Sequence, residues 1–548
     1  MNILKTGEML SEAKRTIVII ETLFRYGLAD LFDESSIAKR FSISTSNSDG
    51  RKTTSPQKVR AALEELGPAF VKLGQVMSTR PDILPFEYIV ELEKLQDHVA
   101  PFPFHIAKSE IHASLGKSVD AVFASFEHEP VASASIAQVH VGTLHDGTKV
   151  AIKIKRPNID RVINTDTKII LWLAQFLKNR HIVDEVWRPT EIAQEFQRSL
   201  LEELDFKNEM KNQKKFLEDF ADDEHVKIPR IYDECSGENV ITMEFIHGVE
   251  LHKIANSRAE TYPKKEIAAI GAAAILKQIF LHRFFHGDLH PGNLFWLPKS
   301  GQIAFIDFGL VGQLSGQEAE ALIGMLYGII NSDAEKTLLG IEALGVSESS
   351  AQSEKLKEEV ARLLSKYYNS TLSDIKMSSL IRDIFDMILK LRIHLPIAFV
   401  RLAKSLVTIE TLAEGLDPDF NLFAVSAPYI KEAIRLQTSP KSVADKLQNT
   451  ALQSARLFGE LPNDAYWLLR NLKNNEFQVK IEHLKLDDVL DGITKMGNRL
   501  SVSLIIAGLI IGSSFVMPSF KQIGLFGYVI ASVMGVWVIF SMIRKDRL

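Results

Sequence analysis

The chain has 548 residues and a single cysteine, Cys235. One cysteine can form neither an internal disulfide nor a cysteine-based zinc site, so both are excluded as sources of stability. The first residues are not expected to be a secretory leader, because the apolar run 17–20 is short and Glu21 and Arg25 follow at once. Apolar residues nevertheless recur there at helical spacing, which predicts either a helix packed on the body of the protein or a helix on a membrane surface.

The sequence also has no large excess of positive or negative residues. The sequence contains 64 Lys and Arg against 69 Asp and Glu, a net charge of −5. This balance gives no reason to expect a nucleic-acid partner, which would call for a basic face. With 46% hydrophobic and 24% charged residues the chain has the composition of a globular protein, and its length predicts two or three folding units.

The strongest motif is His286-Gly-Asp-Leu-His-Pro-Gly-Asn293, followed by Asp307-Phe308-Gly309. Transfer of phosphate from ATP needs a carboxylate near the attacking oxygen, and an amide and a second carboxylate that hold Mg²⁺ on the phosphates. Asp288 is predicted to be the proton acceptor, and Asn293 and Asp307 the magnesium ligands, since Mg²⁺ prefers oxygen donors.

A strand at 150–153 carries one inward lysine, Lys153, which is expected to hold the ATP phosphates. A buried lysine needs a negative partner. The helical segment 188–216 offers Glu195, Glu202, Glu203 and Glu209 by spacing, and Glu203 is taken as the catalytic partner.

The segment expected to cover the nucleotide contains no glycine, although ordinary kinases have a glycine-rich turn there. Small side chains let its backbone approach phosphate, but the loop loses the easy access to positive φ that glycine gives. We therefore predict a stiff nucleotide-binding loop made of Val131, Ala132, Ser133, Ala134, Ser135, Ile136, Ala137, Gln138 and Val139.

Two further features depart from ordinary kinases. Gly287 replaces the arginine that would dock a phosphorylated activation loop, and no Ala-Pro-Glu follows Asp307. Activation by loop phosphorylation and docking of peptide substrates are therefore not expected. His282, His286 and His290 are each four residues apart, which on one helix would suggest zinc, but Gly287 and Pro291 are expected to break that helix.

Two long uncharged runs, 500–517 and 523–543, close the sequence. As helices they would be roughly 26 and 31 Å long, which is enough to cross a bilayer core. Basic residues flank the pair, so we predict a transmembrane hairpin with both ends in the cytoplasm and affinity for anionic lipid.

These motifs together resemble the UbiB family of atypical kinase-like proteins. Lys72-Leu-Gly-Gln75 matches the family's KxGQ motif, Glu203-Leu-Asp205 its ExD motif, and 131–139 its alanine-rich loop, in family order with Lys153 and the two aspartate motifs. The resemblance implies that Lys72, Gln75 and Asp205 have regulatory roles, with KxGQ lying where a protein substrate would bind.

The resemblance also implies an α+β, two-lobe, protein-kinase-like fold. The expected organisation is an N-terminal helical extension (1–118), a nucleotide-binding core (119–315), a helical C-terminal part (316–498) and the two transmembrane helices (499–548). The implied cofactors are ATP and Mg²⁺. The implied setting is the bacterial inner membrane, as a multi-pass protein with a cytoplasmic catalytic body.

The function that the resemblance implies is a membrane-anchored ATPase or atypical kinase that supports ubiquinone biosynthesis. It would make polyprenylated intermediates accessible to other enzymes, so the implied partners are membrane lipids, quinone-precursor lipids and other ubiquinone-biosynthesis proteins. Two alternatives stay open. One is a pseudokinase scaffold that binds nucleotide without turnover, and the other is a small-molecule phosphotransferase, whose catalytic loop has the same His-Gly-Asp style.

Overall fold

The computed structural model describes residues 2–26, 55–78, 84, 86–92, 94–95, 100–179, 188–257, 261–343, 350–367, 374–391, 395–437, 486–518 and 520–545. The chain divides into two compact units, 1–444 and 445–548. The first unit contains every sequence motif of the predicted catalytic site, and the second contains the C-terminal helices.

The N-terminal lobe of the first unit is a five-stranded antiparallel sheet with β3 and β4 at its centre. Alternation along β4 buries Val150, Ile152 and Ile154 against a helix, so Ala151 and Lys153 face the other side. The strand predicted at 150–153 is confirmed as part of β4. The elements are α5 (Phe104–Leu115), α6 (Val119–Val122), β1 (Phe123–Phe126), β2 (Ala132–Ser133), β3 (Ala137–Leu144), β4 (Lys149–Lys155) and β6 (Val240–Glu244).

The N-terminal extension packs on two helices of the kinase-like body through a separate small core. Ile19 and Phe70 are buried in it together with Ile163 and Phe196. Arg15 adds an ion pair with the buried Asp166, at 2.7 Å. The first helix is therefore packed on the body, one of its two predicted roles. The helices concerned are α1 (Asn2–Arg25), α2 (Pro56–Leu66), α3 (Pro68–Ser78), α4 (Phe86–Leu92), α7 (Ile159–Asn179) and α8 (Pro189–Leu204).

The long helix expected over 188–216 is broken into two. Helix α8 ends at Leu204, and α9 (Phe206–Asp219) begins after Asp205. Asp205 caps α9, because its carboxylate accepts a hydrogen bond from the backbone N–H of Asn208 at 3.1 Å. The break redirects the chain, so that α9 and not α8 passes behind Lys153.

The C-terminal lobe places its two aspartate motifs side by side. Strand β8 leads into the Asp288 loop and pairs with β11, which follows Asp307, so that His286 lies opposite Val311. The helix that precedes this loop ends in a π-helical turn at Gln278–His282. The strands are β5 (Val226–Lys227), β7 (Val249–Glu250), β8 (Phe284–His286), β9 (Leu294–Leu297), β10 (Gln302–Phe305) and β11 (Val311–Gln313).

Helices complete the first unit and share one continuous apolar core with the C-terminal lobe. A capping box of Ser315 and Glu318 starts α12, with both reciprocal hydrogen bonds present. The helices are α10 (Leu251–Asn256), α11 (Lys264–Lys277), α12 (Gly316–Ile330), α13 (Ala334–Ala343), α14 (Ser350–Tyr367), α15 (Met377–Leu391), α16 (Ile397–Leu416) and α17 (Leu422–Gln437).

The second unit contains a helical hairpin formed by α18 (Leu486–Val516) and α19 (Lys521–Lys545). Ser513 and Ala531 are buried, whereas the side chain of Phe515 is 81% exposed. No helix within the described ranges is both long and apolar enough to cross a bilayer, so the transmembrane prediction is not confirmed. The second predicted span continues past Val536, and the side chains after Val536 are outside the described part of the chain.

The contact between α12 and α13 gives a stability test. A Cβ at Gly340 would lie 2.6 Å from the backbone N of Met325 and 2.8 Å from the carbonyl oxygen of Ala321, so the helices would have to separate. We expect Gly340→Ala to lower the free energy of unfolding by about 1–3 kcal/mol. Gly324→Ala on α12 is the matched control, because its Cβ would meet nothing within 4 Å. Chemical denaturation of both variants checks this, and equal stabilities would contradict the packing.

Candidate nucleotide and phosphate-transfer site

Lys153 is the buried cation of the cleft between the lobes. Its Nζ lies 2.6 Å from Oε1 of Glu209 on α9 and 3.6 Å from Oδ2 of Asp307. Burial alone would lower the pKa of Lys153, but the charges of Asp307 and Glu209 outweigh it and raise the pKa, so the ammonium keeps its proton. Burial raises the pKa of Glu209 against the opposing charge of Lys153.

This pairing corrects the predicted role of Glu203. Glu209 was one of four candidates by spacing, but Glu203 was chosen, and the structure pairs Lys153 with Glu209 instead. Glu203 forms an ion pair at 2.7 Å with Lys72. The reason is the break at Asp205, which the charge pattern of 188–216 did not reveal.

Helix α9 also holds the Asp307 motif. Asn212, one turn after Glu209, donates a hydrogen bond of 3.0 Å to the carbonyl oxygen of Phe308. The Phe308 ring is fully buried, with its centroid 5.0 Å from that of Phe216 on the same helix. The carboxylate of Asp307 accepts from the backbone N–H of Gly309 and remains 44% exposed to the cleft. The motif is thus anchored from behind, and its carboxylate faces the space between the lobes.

Asp288 lies in the neighbouring loop with Asn293. The amide nitrogen of Asn293 donates to the carbonyl oxygen of Asp288 at 3.3 Å, so Oδ1 is the atom that Asn293 could offer to a cation. Burial would raise the pKa of Asp288, but Lys404 and then Lys72 outweigh it and hold that pKa well below its usual range. Asp288 is therefore ionised throughout the neutral range.

The donor set fits Mg²⁺ bound together with phosphates. Asp307 and Asn293 supply one carboxylate and one amide oxygen, and phosphate oxygens and water complete such a shell. Within the described part of the chain, no three His, Cys, Asp or Glu side chains gather into a metal site of their own. The three histidines of the zinc alternative lie on a π-helical turn, a strand and a loop, because the helix ends at Arg283 in a left-handed conformation.

The alanine-rich loop covers the cleft as a short antiparallel hairpin. Ala132 lies opposite Val139, and the N–H of Ala134 donates to the carbonyl oxygen of Ala137 at 2.8 Å, a turn that uses no positive φ. Arg156 fastens the loop from outside, donating to the carbonyl oxygen of Ala134 and to Oγ of Ser133, both at 2.8 Å. Gln138 at its base is fully buried and exchanges hydrogen bonds with the backbone of Phe102.

The KxGQ segment approaches the catalytic end of the cleft. Lys72 is only 8% exposed and acts electrostatically on Asp288 while it pairs with Glu203. Gln75 donates to the carbonyl oxygen of Leu95 at 3.2 Å and so fixes α3 to the following segment. Asp205 is exposed and serves as the cap of α9.

Sequence reasoning missed the contribution of α16. Lys404 lies 2.7 Å from Oδ1 of Asp288, and Arg401 donates to the carbonyl oxygen of Val311 at 2.9 Å. Ser405 donates to the carbonyl oxygen of His286 at 2.8 Å. A signal was present, since the spacing of these three polar residues puts them on one face of the helix.

The pairing of Lys153 gives a test at this site. We expect Glu209→Gln to lower nucleotide turnover about tenfold or more, equivalent to about 1.4 kcal/mol of lost transition-state stabilisation, because the ammonium loses its nearest carboxylate. Glu203→Gln is the matched control and is expected to keep the affinity for nucleotide, since it does not hold Lys153. Fluorescent-nucleotide titration measures the affinity of each variant, and phosphate release measures its turnover. A greater loss of nucleotide affinity in Glu203→Gln than in Glu209→Gln would contradict the assignment.

Three family models match parts of this chain. They are the ABC1 atypical kinase-like domain at 94–339, the UbiB helical domain at 360–421 and the ABC1/UbiB kinase-like C-terminal domain at 484–544. The first contains Lys153, Asp288, Asn293 and Asp307, and the second contains Lys404.

Curated relatives agree with these matches. A Clostridium pasteurianum protein, "Uncharacterized protein in hydrogenase 1 5'region", is 32% identical over 97% of this chain and 98% of its own. A "Probable protein kinase UbiB" from Cellvibrio japonicus is 33% identical over 76% of both chains. Another from Glaesserella parasuis is 28% identical over 92% of this chain and 93% of its own. The chain therefore belongs to the ABC1/UbiB family of atypical kinase-like proteins.

Proposed function

We propose that this protein is a Mg²⁺-dependent ATPase that supports ubiquinone biosynthesis at the bacterial inner membrane. The observation that carries the proposal is the joint placement of Lys153, Glu209, Asp307, Asp288 and Asn293 around one cleft. The biosynthetic role is drawn from the UbiB name of the relatives, and the acceptor of the phosphoryl group is taken to be water.

Each side chain has a part in that reaction. Lys153 holds the ATP phosphates, and its protonated state keeps the charge that they require. Asp307 and Asn293 would hold Mg²⁺, which would supply positive charge to the phosphates. Asp288 orients the attacking water, whose oxygen bonds to the γ-phosphorus as the bond to the bridging oxygen of ADP breaks, and the proton of the water leaves with the released phosphate or passes to solvent.

The low pKa of Asp288 suits a residue that orients the attacking oxygen. A loose transition state for phosphoryl transfer needs little proton removal before the phosphorus–oxygen bond breaks, so a weakly basic carboxylate is sufficient for this role. The pseudokinase alternative does not explain why Lys153, Asp288, Asn293 and Asp307 are all present, with the carboxylates of Asp288 and Asp307 partly exposed.

Phosphate release from Mg-ATP by the full chain tests the proposal. We expect turnover in the wild type that falls at least about a hundredfold in Asp307→Asn, because one cation ligand loses its charge. Chelation of the cation with EDTA is expected to give the same loss. Turnover that survives either treatment would contradict the site, and nucleotide binding without turnover would favour the scaffold alternative.

We propose further that the hairpin of α18 and α19 carries the protein to the membrane, where quinone-precursor lipids and partner enzymes would meet it. Supporting this, apolar side chains such as Phe515 and Phe526 are exposed on both helices. A patch of this kind marks a binding surface. The sequence places Lys495, Arg499, Arg544, Lys545 and Arg547 at the two ends of the hairpin, which favours anionic lipid.

Vesicle flotation measures this association. We expect Phe515→Asp with Phe526→Asp to lower the bound fraction about tenfold or more, since each buried phenyl group contributes about 1.5–3 kcal/mol. Leu339→Asp with Leu436→Asp is the matched control, because it adds the same charges at exposed apolar positions outside the hairpin. Equal binding of both double variants would contradict the role of the hairpin, and equal binding to neutral and anionic vesicles would contradict the preference for anionic lipid.

A further inference from the structure

Helix α16 contacts both halves of the catalytic centre through one polar face. Lys404 reaches Asp288, Ser405 reaches the backbone of His286, and Arg401 reaches Val311 just beyond the Asp307 motif. Position 401 lies one helical turn before positions 404 and 405, so the three side chains lie on the same face of the helix. The helix thus joins the catalytic loop and the start of the activation segment.

The helix packs in the core through its apolar face. Leu402 and Leu406 are buried among the helices of the C-terminal lobe, and Ser405 is fully buried. Arg401 also lies 3.2 Å from Oγ of Ser199 and 3.4 Å from Glu202 on α8. The polar face therefore holds its partners against a helix that is packed in the core.

Gly287 explains why this support comes from so far along the chain. A Cβ at Gly287 would lie 3.2 Å from the carbonyl oxygen of Leu310 and 3.3 Å from the carbonyl carbon of Val311, both backbone atoms. Its N–H already donates to the Leu310 oxygen at 2.9 Å. Because the loop and the activation segment touch here, an arginine at 287 would have to force them apart.

The charges that face Asp288 come from four elements. Lys404 on α16 and Lys72 on α3 are positive, His286 precedes it on β8, and Asp307 lies beside it in the same lobe. Lys404 is the nearest, at 2.7 Å from Oδ1. The ion pair is partly exposed, with about a third of each side chain open to the cleft, so substrate water can reach the carboxylate.

We propose that Lys404 is the positioning residue for Asp288. It takes the place of the arginine and the phosphorylated activation segment by which ordinary kinases hold their catalytic loop. By binding Oδ1, Lys404 turns Oδ2 toward the position of the attacking water. The helical part of the chain is in this way required for catalysis. The inference rests on the proposed ATPase function and adds a residue to that site.

The test compares phosphate release by the wild type, Lys404→Ala and Lys404→Arg over a range of Mg-ATP concentrations. We expect Lys404→Ala to lower kcat at least about tenfold with little change in KM for Mg-ATP, because Asp288 and not the nucleotide loses its partner. Lys404→Arg is expected to recover most of the wild-type kcat, because it keeps a positive charge beside Oδ1 of Asp288.

Lys431→Ala on α17 is the matched control, because it removes an exposed lysine from a helix of the same lobe. It is expected to leave kcat and KM unchanged. A Lys404→Ala variant with the wild-type kcat, or with a lower kcat that Lys404→Arg does not recover, would overturn the inference. The second of these results would mean that the charge at position 404 does not act on Asp288.

A double-mutant cycle separates this inference from the proposed function. Thermal unfolding of Lys404→Ala, Asp288→Asn and the double variant gives the coupling between the two side chains without any need for turnover. We expect Lys404→Ala to destabilise the protein less when Asp288 is already replaced. Additive losses would overturn the inference, whereas a coupled pair in a protein without turnover would contradict the ATPase proposal alone.

Discussion

The buried ammonium of Lys153 is the constraint on which the rest of the site depends. A charge removed from water is tolerated only with opposite charges close by, and here Glu209 and Asp307 supply them from two different elements. Glu209 requires α9 to pass behind the sheet, and Asp307 requires β10 to end at the cleft. The same helix then fixes the Asp307 motif through Asn212. The need to pair the charge of Lys153 therefore brings elements of both lobes together at the space where ATP phosphates would lie.

Outside that centre, the structure replaces the regulatory parts of ordinary kinases with fixed contacts. The nucleotide loop has no glycine and is fastened by Arg156 and Gln138. The catalytic loop is joined to the activation segment by α16, and a side chain at position 287 would press on the backbone of Leu310 and Val311. Such fixed contacts suit an enzyme that hydrolyses ATP without being switched on by phosphorylation.

Much of this could be predicted from the sequence, and the failures have physical causes. The strand with Lys153, the loop with Asp288 and the capping box at Ser315 follow local rules of spacing and residue type, and the structure contains all three elements. The partner of Lys153 could not be chosen among four glutamates, because the break at Asp205 changes which helical face meets the sheet. Lys404 lies 116 residues from Asp288, and only tertiary packing brings them together. The uncharged C-terminal runs pointed to membrane spans, which the described residues do not confirm.

Calorimetric titration of ATP into the full chain, with and without Mg²⁺, tests the central claim most directly. Two phosphate-facing oxygen ligands, Asn293 and Asp307, and one buried ammonium predict that the cation tightens binding and that ATP alone binds weakly. Equal affinity in the presence of EDTA would mean that these residues do not hold a cation on the phosphates. The phosphate-transfer assignment would then be wrong, although the fold and the family would stand.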